Sequence, residues 1–194
     1  MVTLLVPCAS MAQTVWNGFG GNGNWSTGAN WVGGAAPPSS NAAFVQFGNF
    51  SANPAPFVDS PWTLNRLDIS GTTSYILTGS TLTFSGTSPQ INNVIDVGAT
   101  QSITNALNLS ASLVLTNSHD LDLTGAITGA GSLNKTGAGT LTLARAPLNT
   151  GGIAINGGTL QFGTGAPLLV VSGTFGGGVV NNGTLEVKIG AGGN

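Results

Sequence analysis

Along most of this chain, apolar and polar residues alternate in short runs that end at glycine. Gly139-Thr140-Leu141-Thr142-Leu143 and Gly158-Thr159-Leu160-Gln161-Phe162 are two clear instances. A period of two places Leu141 and Leu143 on one face of a strand and Thr140 and Thr142 on the other. The glycines fall at the run ends, where a turn needs a backbone conformation that other residues resist. No segment carries sustained helical periodicity, so the pattern predicts an all-β chain of short strands.

The runs repeat at a nearly fixed interval. Leu113 to Leu133 and Leu121 to Leu141 are equal steps, and Leu141 to Leu160 is shorter by a single position. Val94 to Leu113 matches that shorter step, whereas Leu160 to Leu185 is clearly longer, which places an insertion between the last two. Short strands and glycine turns recurring at about 20 residues predict a solenoid. One coil cannot bury its own leucines, but a stack of coils can, at roughly 1.5–3 kcal/mol for each buried Leu. The expected fold is a single-stranded, right-handed parallel β-helix.

Residues 129–161 state this grammar most fully. The stretch resembles the autotransporter-associated β-strand repeat, also called the passenger-associated transport repeat. The matching pieces are Gly129-Ala-Gly131-Ser-Leu133, Lys135-Thr-Gly137-Ala-Gly139-Thr-Leu141-Thr-Leu143, and Thr150-Gly151-Gly152 through Ile155-Asn156-Gly157-Gly158-Thr159-Leu160. Pro147-Leu148-Asn149 stands where the family carries an Asn and an aromatic before Thr-Gly-Gly. The resemblance implies an exported passenger: a stiff extracellular stalk whose repeats aid secretion and folding outside the outer membrane of a Gram-negative-type cell.

The ends and the first third read differently. Met1 to Ala12 is an apolar run closing on Ser10-Met11-Ala12, a small-x-small cleavage pattern, and is read as a signal peptide cut before Gln13, with its start possible inside a longer leader. Cys8 lies in this segment, so the mature chain is expected to carry no thiol. Residues 13–61 are read as an N-terminal cap with loop-rich first coils. Trp16, Trp25 and Trp31 sit there among Gly and Asn, and Trp25-Ser26-Thr27 and Ala29-Asn30-Trp31 resemble the amino-terminal segment of many proteins carrying the repeat. A first coil has no neighbour and must blunt its open edge, which a tryptophan plug does. The alternative reading makes Trp16, Trp25 and Trp31 an aromatic platform for sugar rings, the one ligand-binding candidate. Five of the nine prolines, Pro37, Pro38, Pro54, Pro56 and Pro61, fall within this region. They oppose central-strand pairing around residues 54–61, so the regular β-helix is expected over 62–194.

Composition then excludes several functions. Only 5% of the residues are charged, four of them basic, and the net charge is −2. A nucleic-acid surface needs clustered Lys and Arg, and anionic membranes attract polybasic segments; neither is available here. No apolar run is long enough to form a transmembrane helix. The Asn-Gly run of residues 17–24 lacks the Asp that calcium-binding nonapeptides require.

The one acidic pair is Asp120-Leu121-Asp122, two outward carboxylates roughly 7 Å apart along a strand. His119 precedes it and is expected to point inward or to lie in a turn. A single His offers no metal set and no Ser-His-Asp arrangement, and the β-helical pectate-lyase-like enzymes need an acidic cluster that ten scattered charges do not supply. Asp68 and Asp96 read as strand ends. The outward threonines, such as Thr83, Thr142 and Thr159, are too irregular for an ice-binding array and read as β-propensity on a wet face. No catalytic residue, cofactor or metal site is therefore expected. Open coil ends make head-to-tail self-association possible, so a filament subunit or an adhesin that binds surface glycans stands as the alternative to a stalk.

Overall fold

A computed structural model describes residues 13–49, 51–95, 101–163 and 177–188. The expected signal peptide at 1–12, Asp96 and the run Leu168 to Val171 lie outside these residues. Apart from one 3-10 turn, Gly28–Asn30, the regular structure is β, and the strands pair with one another in parallel, with one isolated antiparallel bridge between Trp16 and Trp31. The strands form three sheets wound in sequence: four successive coils, from Phe44 to Thr128, visit the first, then the second, then the third, and the described strands of the later coils alternate between the first and the second.

The first sheet stacks eight strands: Gln13–Trp16, Phe44–Phe47, Arg66–Gly71, Gln90–Ile95, Leu113–Asn117, Leu133–Thr136, Ile153–Ile155 and Val179–Asn181. The second stacks seven: Phe57–Val58, Ile76–Gly79, Gln101–Ile103, Leu121–Leu123, Thr140–Leu143, Thr159–Phe162 and Thr184–Val187. The third is shorter, with Trp62–Leu64, Leu82–Phe84, Leu107–Leu109 and Ile127–Thr128. The result is a parallel β-solenoid whose core runs along its axis.

Register follows the leucines. Leu121, Leu141, Leu160 and Leu185 stack in one column of the second sheet, and Leu113, Leu133 and Ile153 in one column of the first. All of these but Leu185 are at most 4% exposed. The steps between these leucines are thus true coil lengths. The step from Val94 to Leu113 is not one. Val114 pairs with Gln90 and Asn117 with Asn93, so that coil is longer than the step suggests, and Val94 points outward at 56% exposure. The corners absorb the variable length while the strands keep register.

The corner glycines allow this. Gly137 has φ of +83°, and a Cβ there would run into the Asn117 carbonyl of the coil before it. Buried asparagines do complementary work. Asn65, Asn93, Asn105, Asn117 and Asn149 are at most 3% exposed, and their Nδ2 groups donate to backbone carbonyls at or beside the turns. Asn149, in the segment that departs from the family pattern, donates to the Gly131 carbonyl at 3.0 Å and to the Gly152 carbonyl at 2.8 Å.

The parallel stack begins earlier than Trp62. Gln13–Trp16 pairs with Phe44–Phe47, which pairs with Arg66–Gly71. The prolines tolerate this because of where they sit. The carbonyls of Pro54 and Pro56 accept the Ile76 and Thr78 N–H groups of the next coil, each at 3.1 Å. Both prolines precede the strand Phe57–Val58, whose other side bonds to the cap: the Phe57 N–H donates to the Gly23 carbonyl at 2.6 Å and the Phe57 carbonyl accepts the Trp25 N–H at 2.9 Å. Asp68 also departs from expectation. It lies within a strand rather than at its end, and its carboxylate takes two bonds from Arg66 at 2.8 and 2.7 Å.

Candidate functional site

The tryptophans form a plug. Trp16, Trp25 and Trp31 are 1%, 0% and 1% exposed. Trp31 meets Trp16 edge-on with centroids 5.0 Å apart and Trp25 at 5.6 Å, while Trp25 meets Trp62 at 5.9 Å. Phe47 packs against Trp16, Trp25 and Trp31 at 5.9–6.4 Å. The Trp16 indole donates to the Asn53 carbonyl and the Trp31 indole to the Trp25 carbonyl. Asn30 pins the surrounding loop by accepting the Gly20 N–H and donating to Asn22 and Asn24. The sugar-platform reading of Trp16, Trp25 and Trp31 is therefore corrected. Stacking needs an open ring face, and these faces are spent on closing the core.

The carboxylate pair has a different setting. Asp120 and Asp122 line a groove of about 700 Å³ on the outer face of the second sheet, together with Ser118, His119, Thr140, Thr142, Thr159, Gln161, Glu186 and Lys188. Register builds its floor. Ser102, Asp122, Thr142, Gln161 and Glu186 occupy successive coils of one outward column, and Thr140, Thr159 and Thr184 form a second column beside it. His119 lies in the turn, with Nδ1 3.3 Å from Ser118 Oγ. Asp120 Oδ1 accepts the Thr140 N–H at 3.2 Å. Glu186 and Lys188 stand 3.8 Å apart, an exposed pair of small energetic weight.

The central column is polar and largely unspent. The Asp122 carboxylate has no hydrogen-bond partner among the described residues, nor has the Thr142 hydroxyl, although Thr142 is only 8% exposed. Gln161, 7% exposed, donates to the Gly163 carbonyl at 2.9 Å and leaves its Oε1 toward the groove. A smaller depression of about 310 Å³ on the first sheet contrasts with this. There Asp68 is occupied by Arg66 and by Asn92 at 2.8 Å, so its polar groups satisfy one another.

One buried charge went unread in the sequence. Lys135 stands in the inward column between Leu115 and Ile155 and is 0% exposed. Its ammonium donates to the carbonyls of Gly157 at 2.9 Å, Gly137 at 3.2 Å and Thr136 at 3.4 Å. Gly137 and Gly157 belong to the same corner of successive coils, so Lys135 ties one coil to the next from inside. Burial pulls its pKa down from 10.5 to about 8. The strand LNKT alternates, so Lys135 shares the face of Leu133, and the signal for its burial lay in the period of two.

Among the described residues, no group of three or more His, Cys, Asp or Glu is placed to hold a metal ion, and no helix is long and apolar enough to cross a membrane. Comparison with family models, with curated proteins and with solved structures finds no match to this chain.

Proposed function

We propose that this protein is an exported structural β-solenoid, a stiff extracellular stalk of the passenger type, whose coils fold one upon another after secretion. The observation that carries the reading is the coil-to-coil register. From Gln13 to Val187, strands of the first and second sheets bond only to the coil before and the coil after. Such a stack templates itself from either end and needs no distant contact to close. Folding can then proceed directionally as the chain emerges, and the product is rigid along its axis. The resemblance of residues 129–161 to the passenger repeat, and the leader-like run Met1 to Ala12, support export.

The test is expression of the full chain, epitope-tagged at its C-terminus, in a Gram-negative host, followed by cell fractionation and N-terminal sequencing. Export predicts a product that begins at Gln13 and is found outside the cytoplasm. A cytoplasmic product that begins at Met1 would overturn the reading.

A second reading, a filament subunit, draws on the last described coil. Val179, Val180, Leu185 and Val187 are 37–59% exposed there, while their counterparts one coil earlier are mostly buried. Light scattering on residues 13–194 separates the two. Concentration-dependent growth that disappears on deleting residues from Gly183 onward supports the filament, and a stable monomer supports the stalk.

A further inference from the structure

The groove over the second sheet is built as a binding site, although nothing in the stalk reading requires one. Three observations converge on it. The first is shape: about 700 Å³ of concave surface crosses the coils from Asp122 to Glu186. With coils about 4.8 Å apart, the three steps of this column cover roughly 14 Å. The second is unspent hydrogen-bonding capacity. The Asp122 carboxylate, the Thr142 hydroxyl and Gln161 Oε1 lie on consecutive coils without partners among the described residues, and Thr142 and Gln161 are more than nine-tenths buried. The free oxygens themselves stay open to the groove, since the buried side-chain atoms without a partner lie elsewhere, on Trp25, Trp62, Asn93, Asn105, Asn117 and Asn149, so the column's acceptors are available to a ligand. The third is polarity. The column presents mostly acceptors, and the rim carries three carboxylates against a single Lys188.

From these we propose that the groove binds an elongated, hydroxyl-rich glycan, uncharged or amino-bearing, lying along the stack. The chemistry follows from the column. A carboxylate accepts two neighbouring hydroxyls, a threonine hydroxyl both gives and accepts, and a glutamine oxygen accepts one more. One polar group per coil suits a polymer that offers hydroxyls at a regular repeat. The carboxylates turn away uronic and sulfated chains through like-charge repulsion. An extended peptide fits less well, since no lining residue provides an apolar pocket for a side-chain anchor. The site is separate from the buried tryptophans, and the proposal holds whether or not the protein is a stalk.

Calorimetric titration of the full chain with cellohexaose and with a chitosan hexamer tests it, alongside a polygalacturonate oligomer and hexalysine. Binding of at least one of the first two is expected, with none of the polygalacturonate. Asp122→Asn and Thr142→Val should each weaken that binding by roughly tenfold or more, because each removes one partner from a desolvated hydrogen bond. Asp122→Asn is isosteric and breaks no contact, so its circular dichroism and melting should match the parent even if Thr142→Val is less stable. Absence of binding by both glycans would overturn the proposal, and so would binding that neither substitution changes. Hexalysine binding as tightly as the glycans, with the same dependence on Asp122, would reassign the groove to a cationic peptide.

Discussion

Lys135 gives the solenoid a stability profile that rises with alkalinity, which is unusual for a chain so poor in charge. Folding buries its ammonium among Leu115, Ile155 and the corner carbonyls, and lowers its pKa from 10.5 to about 8. Between those two values the unfolded chain holds a proton that the folded chain has released. Stability therefore increases with pH across this window, by about 1.4 kcal/mol per pH unit, and is flat below pH 8. The full gain is roughly 3 kcal/mol, a large share of the 5–15 kcal/mol typical of a domain. Tyr75 opposes it at the upper end. Burial raises the phenol pKa above 10, so its ionisation costs stability once the pH passes that value. The clean window is pH 8 to 10. Urea unfolding followed by far-UV circular dichroism at four pH values measures it. The wild-type midpoint should climb, and Lys135→Met, which carries no titrating group, should stay level. Lys135→Met also leaves the Gly137 and Gly157 carbonyls without their donor, which offsets part of what removing the buried charge gains. A level wild-type profile would refute the reasoning, because it would mean that the three carbonyls offset the whole cost of burying the charge.

Other substitutions probe separate parts of the stack. Leu141→Ala removes a fully buried side chain packed between Leu121 and Leu160 and should cost about 2–5 kcal/mol in chemical unfolding. Trp31→Ala opens the plug where three rings meet and should cost about 3–5 kcal/mol, with a loss of fluorescence from the tryptophan cluster before the sheets unfold. Gly137→Ala meets both a φ of +83° and the Asn117 carbonyl, so a cost of at least about 1 kcal/mol is expected by calorimetry. Asp68→Asn weakens a partly exposed pair with Arg66 and should shift stability by about 1 kcal/mol.

The repeat was legible because strands keep register through their leucines. The steps from Leu113, Leu121, Leu141 and Leu160 each landed on the true partner. The plug was legible as well, since three tryptophans among glycines in a chain with only four have few other uses. What escaped lies at the corners and on the outer faces. Corner length varies freely, so Val94 matched Leu113 by count although the ladder pairs Asn93 with Asn117. The prolines argued against central-strand pairing around residues 54–61, and the one strand there, Phe57–Val58, is the terminal strand of its sheet. Asp122 and Glu186 are distant in sequence and share a column only because three coils of unequal length each return the chain to the same register. The groove is a property of register, and no local motif announces it. Lys135 is different: the period of two puts it on the face of Leu133, and the column of Leu115 and Ile155 completes its burial.

Register is accordingly the claim to test most directly. In a Cys8→Ser background, Asn134→Cys and Ala154→Cys place two thiols on adjacent coils of one outward column, about 4.8 Å apart at their Cα atoms. Val114→Cys with Ala154→Cys places them two coils apart in the same column, at twice that spacing and beyond the reach of a disulfide. Mild oxidation should close the first pair nearly completely and leave the second open, as read by mass spectrometry of the folded monomer. Equal crosslinking of both pairs, or closure of the second alone, would contradict the parallel in-register stack on which the account rests.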